Sequence, residues 1–195
     1  LLPRWRFGAV VGATAEVPQK PDPVAALRIA ERLGVPVERF AYLGDSNTDM
    51  QTATAAGMFP IGATWGFRPP EELVASGAKV LLLSHMRGHV CDMEALVALC
   101  DRLGVQVIED CAHTMGAKWK GVASGRHGAI GCYSTQTYKH MNSGEGGFLV
   151  TDDVELAARA VLLSGSYMLY ARHRAVPGPE VFEGLKLDVP NVSSR

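Results

Sequence analysis

The chain reads as an α/β protein, with a mostly parallel sheet and flanking helices, and three observations carry that reading. Short apolar runs alternate with amphipathic stretches; each run is bounded by Gly, Asp or Ser; and 47% of the 195 residues are hydrophobic, enough for a sizeable core. In chain order the first helix, 23–33, follows the rigid Pro21-Asp22-Pro23 entry. The short run 41–43 reads as a strand, 48–56 as a helix and 60–63 as a strand. Helix 71–76 leads to the apolar strand 80–83, which is far too short to span a bilayer. Helix 93–103 precedes strand 105–108; strands 130–133 and 147–151 follow, and helix 154–163 closes the pattern. The stretch 175–195, punctuated by Pro and Gly and ending on Ser-Ser-Arg, is expected to be partly disordered.

Composition narrows the function classes. Nineteen basic residues nearly cancel twenty acidic ones, so bulk electrostatics predict neither a nucleic-acid nor a membrane partner and leave a small anionic substrate open. Cys91, Cys100, Cys111 and Cys132 form no CxxC pair, which suits free thiols in a reducing compartment and points to the cytoplasm. The start, Leu1-Leu2-Pro3-Arg4, lacks the ordered regions of a signal peptide, and a first residue other than Met reads as an internal piece of something longer. A composition boundary falls around 77–84, and the motifs on its two sides belong to different chemistries. Two partial domains are expected, 1–78 and 79–195.

In the first, Gly44-Asp45-Ser46-Asn47-Thr48-Asp49 sets two carboxylates four residues apart after a strand and at the entry to a helix. Carboxylates at a strand's C-terminal end suit Mg²⁺, which keeps several waters and takes only one or two protein carboxylates. Lys20, just before the Pro-Asp-Pro entry, is placed to neutralise phosphoryl oxygens. An Asp45 that caps the helix and a solvated Lys20 are the structural alternative. Lys20-Pro21-Asp22-Pro23, Gly44 to Met50, Ala55-Ala56-Gly57-Met58 and Trp65-Gly66-Phe67-Arg68 follow one another as in phosphoglycolate-phosphatase-like members of the haloacid dehalogenase superfamily. Over residues ~7–80 the chain resembles the final third of such an enzyme. The resemblance implies a Rossmann-like half-domain that hydrolyses small phosphate monoesters, with Lys20 stabilising phosphate, Asp45 holding Mg²⁺ and Asp49 supporting the metal. No Asp-x-Asp-x-Thr nucleophile strand precedes these motifs in the sequence.

In the second, the apolar strand ends on Glu109-Asp110, and His113 follows three residues later. A cofactor with a pyridine nitrogen needs a carboxylate there to stay protonated, a role that suits Asp110; His113 is placed to stack on the ring. A capping Asp and a surface His explain the same spacing. Downstream, Ser134-Thr135-Gln136-Thr137-Tyr138-Lys139 leads into Gly144-Glu145-Gly146-Gly147: hydroxyls that suit a phosphate, a lysine on a loop, and glycines that let backbone approach a cofactor. A polar hairpin carrying one exposed lysine is the alternative. Together with Gly116-Ala117, Gly125 and Thr151-Asp152, these stretches resemble the DegT/DnrJ-type sugar aminotransferases over residues ~79–195. The resemblance implies the fold-type-I large domain with pyridoxal 5'-phosphate as cofactor. Asp110 would pair with the ring nitrogen, His113 stack on the ring, Ser134 contact the phosphate, and Lys139 form the imine and act as the catalytic proton carrier. It also implies a keto sugar and an amino-acid donor as substrates and a homodimer whose partner completes the site. Thr135-Gln136 replaces the aromatic residue common after the phosphate serine, and the turn Ser84-His85-Met86-Arg87-Gly88-His89 receives no role.

Three functions therefore stand side by side: an aminotransferase, a Mg²⁺-dependent phosphatase, and a non-catalytic fusion of two partial domains. Strands from the two halves are also placed to pair around 80–83, where 78–81 serves as an ending strand for one fold and a beginning strand for the other.

Overall fold

The computed structural model of the chain describes residues 7–164, so the 175–195 tail lies outside the described residues. The five expected helices are present: α1 (Val24–Leu33), α2 (Asn47–Ala55), α3 (Pro70–Ala75), α4 (Met93–Leu103) and α5 (Val154–Leu163). A six-stranded sheet contains β1 (Ala41–Gly44), β2 (Phe59–Ala63), β3 (Val80–Ser84), β4 (Gln106–Asp110), β7 (Ile130–Ser134) and β8 (Gly147–Val150), in that spatial order. Every neighbouring pair is parallel except β7–β8, which is antiparallel. A small hairpin, β5 (Lys118–Trp119) with β6 (Val122–Ala123), forms its own two-stranded sheet and was not expected from the sequence.

Local chemistry accounts for the element ends. Helices α1 and α4 stop at Gly34 (φ +63°) and Gly104 (φ +67°), left-handed positions that glycine takes without a Cβ clash. Helix α2 opens with a capping box in which the Ser46 hydroxyl accepts the Asp49 amide and the Asp49 carboxylate accepts the Ser46 amide. The cap is thus Ser46, which corrects the alternative that Asp45 fills that place. Strand β4 runs through Glu109 and Asp110, past the 105–108 expected, because both acids remain in register with β3: Leu83 faces Glu109 and Ser84 faces Asp110.

The two halves share one sheet. Ile61, Gly62 and Ala63 of β2 pair with Val80, Leu81 and Leu82 of β3, and the Lys79 amide extends the ladder to the Pro60 carbonyl (3.0 Å). One core crosses the same boundary, with Met50, Leu73 and Val74 packed in a cluster with Leu81, Leu83, Met93, Leu96, Cys100 and Val107. Packing therefore runs without interruption across residues 78 and 79.

Adding successive parallel strands always on the same side, through right-handed crossovers, sends every connecting helix to one face. The registers agree with that. Gly62, Leu81, Leu83, Val107, Glu109 and Gly131 are buried on the helix face. On the opposite face Ile61, Val80, Leu82, Ile108 and Ile130 are only half-buried, while Leu43 and Phe59 are 51% and 46% exposed. Truncating the two faces should therefore differ in cost. Leu81→Ala is expected to destabilise the protein by about 2–5 kcal/mol, as a cavity in a packed core does. Leu43→Ala should stay within about 0.5 kcal/mol, the usual range for surface changes. Chemical denaturation of the two variants checks both.

Candidate functional site

The strands β1 to β4 and β7 run in one direction, so their C-terminal ends share one edge of the sheet, where ligands of open α/β sheets bind. Two clusters of candidate residues stand on that edge. The first surrounds the end of β1 and the second the ends of β3, β4 and β7. Three strand spacings separate β1 from β4, about 14 Å at ~4.8 Å each.

In the first cluster the half-exposed Lys20 places Nζ 2.6 Å from Asp49 Oδ1. Asp49 Oδ2 accepts from the Ser46 hydroxyl (2.6 Å) and from the backbone amides of Asp45 and Ser46 (3.2 Å each). Burial alone would push the Asp49 carboxyl upward, but the hydrogen bonds from Lys20 and Ser46, the lysine's charge and the Asp45 amide outweigh it and hold it below the usual range. The same hydrogen bond holds Lys20 above its ordinary value. Asp49 therefore braces the loop and orients Lys20. Asp45, next to it, has no side-chain hydrogen bond or ion pair among the described residues. Gly44 and Gly66 leave room for this arrangement, since a Cβ on Gly44 would collide with Asp49 and one on Gly66 with Asp45. A cavity of about 450 Å³ opens beside Lys20, walled by Tyr42, Thr48, Thr52 and Ile29.

In the second cluster Lys139 and His113, 26 residues apart in sequence, meet with Nζ 2.8 Å from Nε2. Lys139 is half-buried, not the exposed lysine of a surface hairpin. The amide of Arg87 donates to His113 Nδ1 (3.1 Å) and orients the ring, whose Nε2 faces the lysine nitrogen. Asp110 accepts the Ser84 hydroxyl on Oδ2 and the Ala112 amide on Oδ1, each at 3.0 Å. Ser84, Asp110 and Cys132 lie side by side in register across three strands, and Ser134 projects two residues beyond Cys132 on the same face. The Ser134 hydroxyl accepts the Gln136 amide at 3.3 Å. Thr135, where the family resemblance leads one to expect an aromatic, is buried instead: its hydroxyl accepts from Ser143 (2.9 Å) and its amide donates to Gly146. That pair closes the base of the loop that carries Lys139.

Sequence reasoning missed a third set of residues. Glu109 and His85 are both fully buried, with His85 Nε2 2.9 Å from Glu109 Oε2. The Gly125 amide also reaches Oε2, and those of His127 and Gly128 reach Oε1, at 2.7–2.8 Å. Burial pushes this carboxyl up, but the His85 hydrogen bond and the three amides together leave it below the usual range. Cys111, also buried, has its thiol raised to about 11 by desolvation, so it stays protonated and unreactive. The one signal that pointed here was the acidic doublet Glu109-Asp110, whose first member the sequence left unassigned.

A carboxyl held low in the folded protein contributes stability that is complete above its unfolded value, 3.8 for Asp49, and is lost as pH falls through the lower folded value. Asp49→Asn is expected to flatten that acid limb. At neutral pH the variant should lose about 1.5–3 kcal/mol, the worth of hydrogen bonds to a charged, buried carboxylate. Thermal midpoints measured from neutral to strongly acid pH check both.

The profile of the DegT/DnrJ/EryC1/StrS aminotransferase family matches residues 68–175, and that of the haloacid dehalogenase-like hydrolases matches residues 4–63. The L-glutamine:scyllo-inosose aminotransferase of Streptomyces griseus is 41% identical over 90 residues, 46% of this chain and 21% of that protein. The GDP-perosamine synthase of Escherichia coli is 34% identical over 143 residues, 72% of this chain and 39% of that protein. Among solved structures, the aminotransferase from Psychrobacter cryohalolentis matches with 28% identity and a TM-score of 0.49, over 71% of this chain and 38% of that one. The chain thus spans well under half the length of these relatives. It belongs to the DegT/DnrJ/EryC1/StrS aminotransferase family and carries, ahead of that region, a segment similar to haloacid dehalogenase-like hydrolases.

Proposed function

We propose that the second cluster is a pyridoxal-phosphate site serving amino-group transfer, with Lys139 as the residue that links covalently to the cofactor. The observation that carries this reading is the 2.8 Å approach of Lys139 to His113, which joins the lysine loop to the end of β4. The residues suit the group. Each Asp110 oxygen receives one hydrogen bond among the described residues, so the carboxylate keeps acceptor capacity for a protonated ring nitrogen. Pyridoxal phosphate, when bound, supplies an electron sink for carbanion chemistry at the amino acid's Cα. Asp110 would hold the proton at the ring nitrogen, His113 would pack on the ring, and Ser134 would offer its hydroxyl to the phosphate. Lys139 Nζ would be the base that carries the proton at Cα.

The substrates we assign are a keto sugar or related cyclic ketone as acceptor and an amino acid as donor, supported by the names of the relatives. A homodimer belongs to this reading, since the family resemblance implies an active site built across a dimer interface. A cytoplasmic location fits the four free thiols.

The first cluster supports a second reading, that the 1–78 part keeps a phosphate pocket in which Asp45 binds Mg²⁺, Asp49 supports the metal's surroundings and Lys20 faces the phosphate. What favours it is the Asp45 carboxylate, without a side-chain hydrogen bond or ion pair among the described residues, beside the oriented Lys20. No helix among the described residues is long and apolar enough to cross a membrane.

Mixing the protein with pyridoxal phosphate, reducing with borohydride and mapping the labelled peptide separates these readings. Label on Lys139, lost in Lys139→Ala, is expected; label scattered over surface lysines would overturn the aminotransferase reading. Mg²⁺-dependent release of phosphate from a small ester, lost in Asp45→Asn, would establish the hydrolase reading instead. Neither signal would leave a fusion without catalysis.

A further inference from the structure

The turn that leaves β3, residues 84–88, meets three separate groups at the end of β4. Ser84 donates its hydroxyl to Asp110 Oδ2 (3.0 Å), and the His85 amide donates to the Asp110 carbonyl (3.1 Å). The His85 ring reaches Glu109 (2.9 Å), and the Arg87 amide donates to His113 Nδ1 (3.1 Å). To deliver that last amide, Arg87 adopts φ +56°, a left-handed conformation unfavourable for a residue with a Cβ, and Gly88 follows at φ +83°. Something must hold the turn in that shape.

The buried pair is placed to do so. Glu109 lies on the helix face of β4, and Asp110, the next residue, lies on the opposite face. Four donors meet the Glu109 carboxylate: the His85 ring and the amides of Gly125, His127 and Gly128. A fully satisfied buried carboxylate has one orientation, and the peptide that joins it to Asp110 inherits that orientation. On the same side, Gly131 admits the 125–128 loop, because a Cβ there would collide with the Gly125 backbone. His85 Nδ1 is buried with no partner among the described residues, which fits a ring that carries its proton on Nε2 and donates it to Glu109.

We propose that the His85–Glu109 pair is a positioning device for the cofactor site: it locks the 84–88 turn onto β4, so that Asp110 and His113 each present their polar atoms in one fixed orientation. The inference rests on the pyridoxal-phosphate reading for its purpose, but the ordering it predicts exists without cofactor. His85 and Glu109 touch neither cofactor nor substrate in this role; they act through Asp110 and His113.

The test uses the full chain and two readouts. In the cofactor-free protein, imidazole ¹⁵N spectra report which His113 nitrogen carries the proton. Titration with pyridoxal phosphate, followed by its visible band, reports retention. His85→Leu removes the donor to Glu109, whereas His85→Gln places a side-chain amide nitrogen near the Nε2 position. In His85→Leu, the His113 signal is expected to change from one tautomer to a mixture, and the cofactor to be held at least ~10-fold more weakly, as when an outer-shell partner is lost. Labelling of Lys139 at saturating cofactor should survive. His85→Gln should restore both readouts toward the parent protein. If His85→Leu does not unfold cooperatively, His85→Asn, too short to reach Glu109, takes its place with the same expectations. A cooperatively folded His85→Leu or His85→Asn with the parent's His113 tautomer and cofactor retention would overturn the proposal. Scattered labelling in the parent protein would overturn the cofactor reading alone, since the tautomer measurement stands without it.

Discussion

The structure depends on the pairing of β2 with β3. Three register pairs, extended by the Lys79 amide on the Pro60 carbonyl and the Thr64 amide on the Leu82 carbonyl, join a hydrolase-like segment to an aminotransferase-like one. Parallel ladders are normally buried, and Gly62 makes the cover on the helix face possible. A Cβ at Gly62 would crowd Leu73 and Leu81, so the missing side chain lets a helix of the first segment and a strand of the second close on each other. Because the pairing is parallel, the ends of β1 and β2 and those of β3, β4 and β7 also face the same way. The Lys20–Asp49 cluster and the Lys139–His113 cluster consequently open onto one edge of one sheet.

Along that edge the two clusters are electrostatically different. Lys20 and Asp49 neutralise each other at 2.6 Å, and beside them the carboxylate of Asp45 makes no side-chain hydrogen bond or ion pair among the described residues. At the other cluster the buried charge of Glu109 is offset by amide dipoles and a histidine hydrogen bond, and the groups nearer the surface keep hydrogen-bonding capacity in reserve. A site built this way spends its strongest interactions on holding shape and leaves the weaker, adaptable ones for a ligand.

Much of this was legible in the sequence, and for identifiable reasons. The five helices and the strands of the main sheet follow from periodicity, and pairing around 80–83 follows from an apolar run that suits either half. The β5–β6 hairpin escaped because strands of two residues show no alternation. The helix cap was assigned to Asp45 as an alternative although Ser46-x-x-Asp49 is the better capping box, its hydroxyl and carboxylate each reaching the other's amide. The meeting of Lys139 with His113 cannot be read from spacing, since it is made by the register of β4 with β7. His85 was harder still. Its turn carries no assignable role in the sequence, and only the fold reveals that it is 1% exposed against a carboxylate 24 residues away.

The one-sided helix layer has a colloidal consequence. Leu43, Phe59, Ile61, Val80, Leu82, Ile108 and Ile130 share a sheet face that no helix seals among the described residues, so residues 7–164 taken by themselves present an apolar surface to water. The solubility of that unit is then governed by its folded state rather than by the small unfolded fraction, and a more stable fold does not make it more soluble. Since attraction between apolar surfaces weakens on cooling, the same chain is better dispersed in the cold than at the temperature where its fold is most needed.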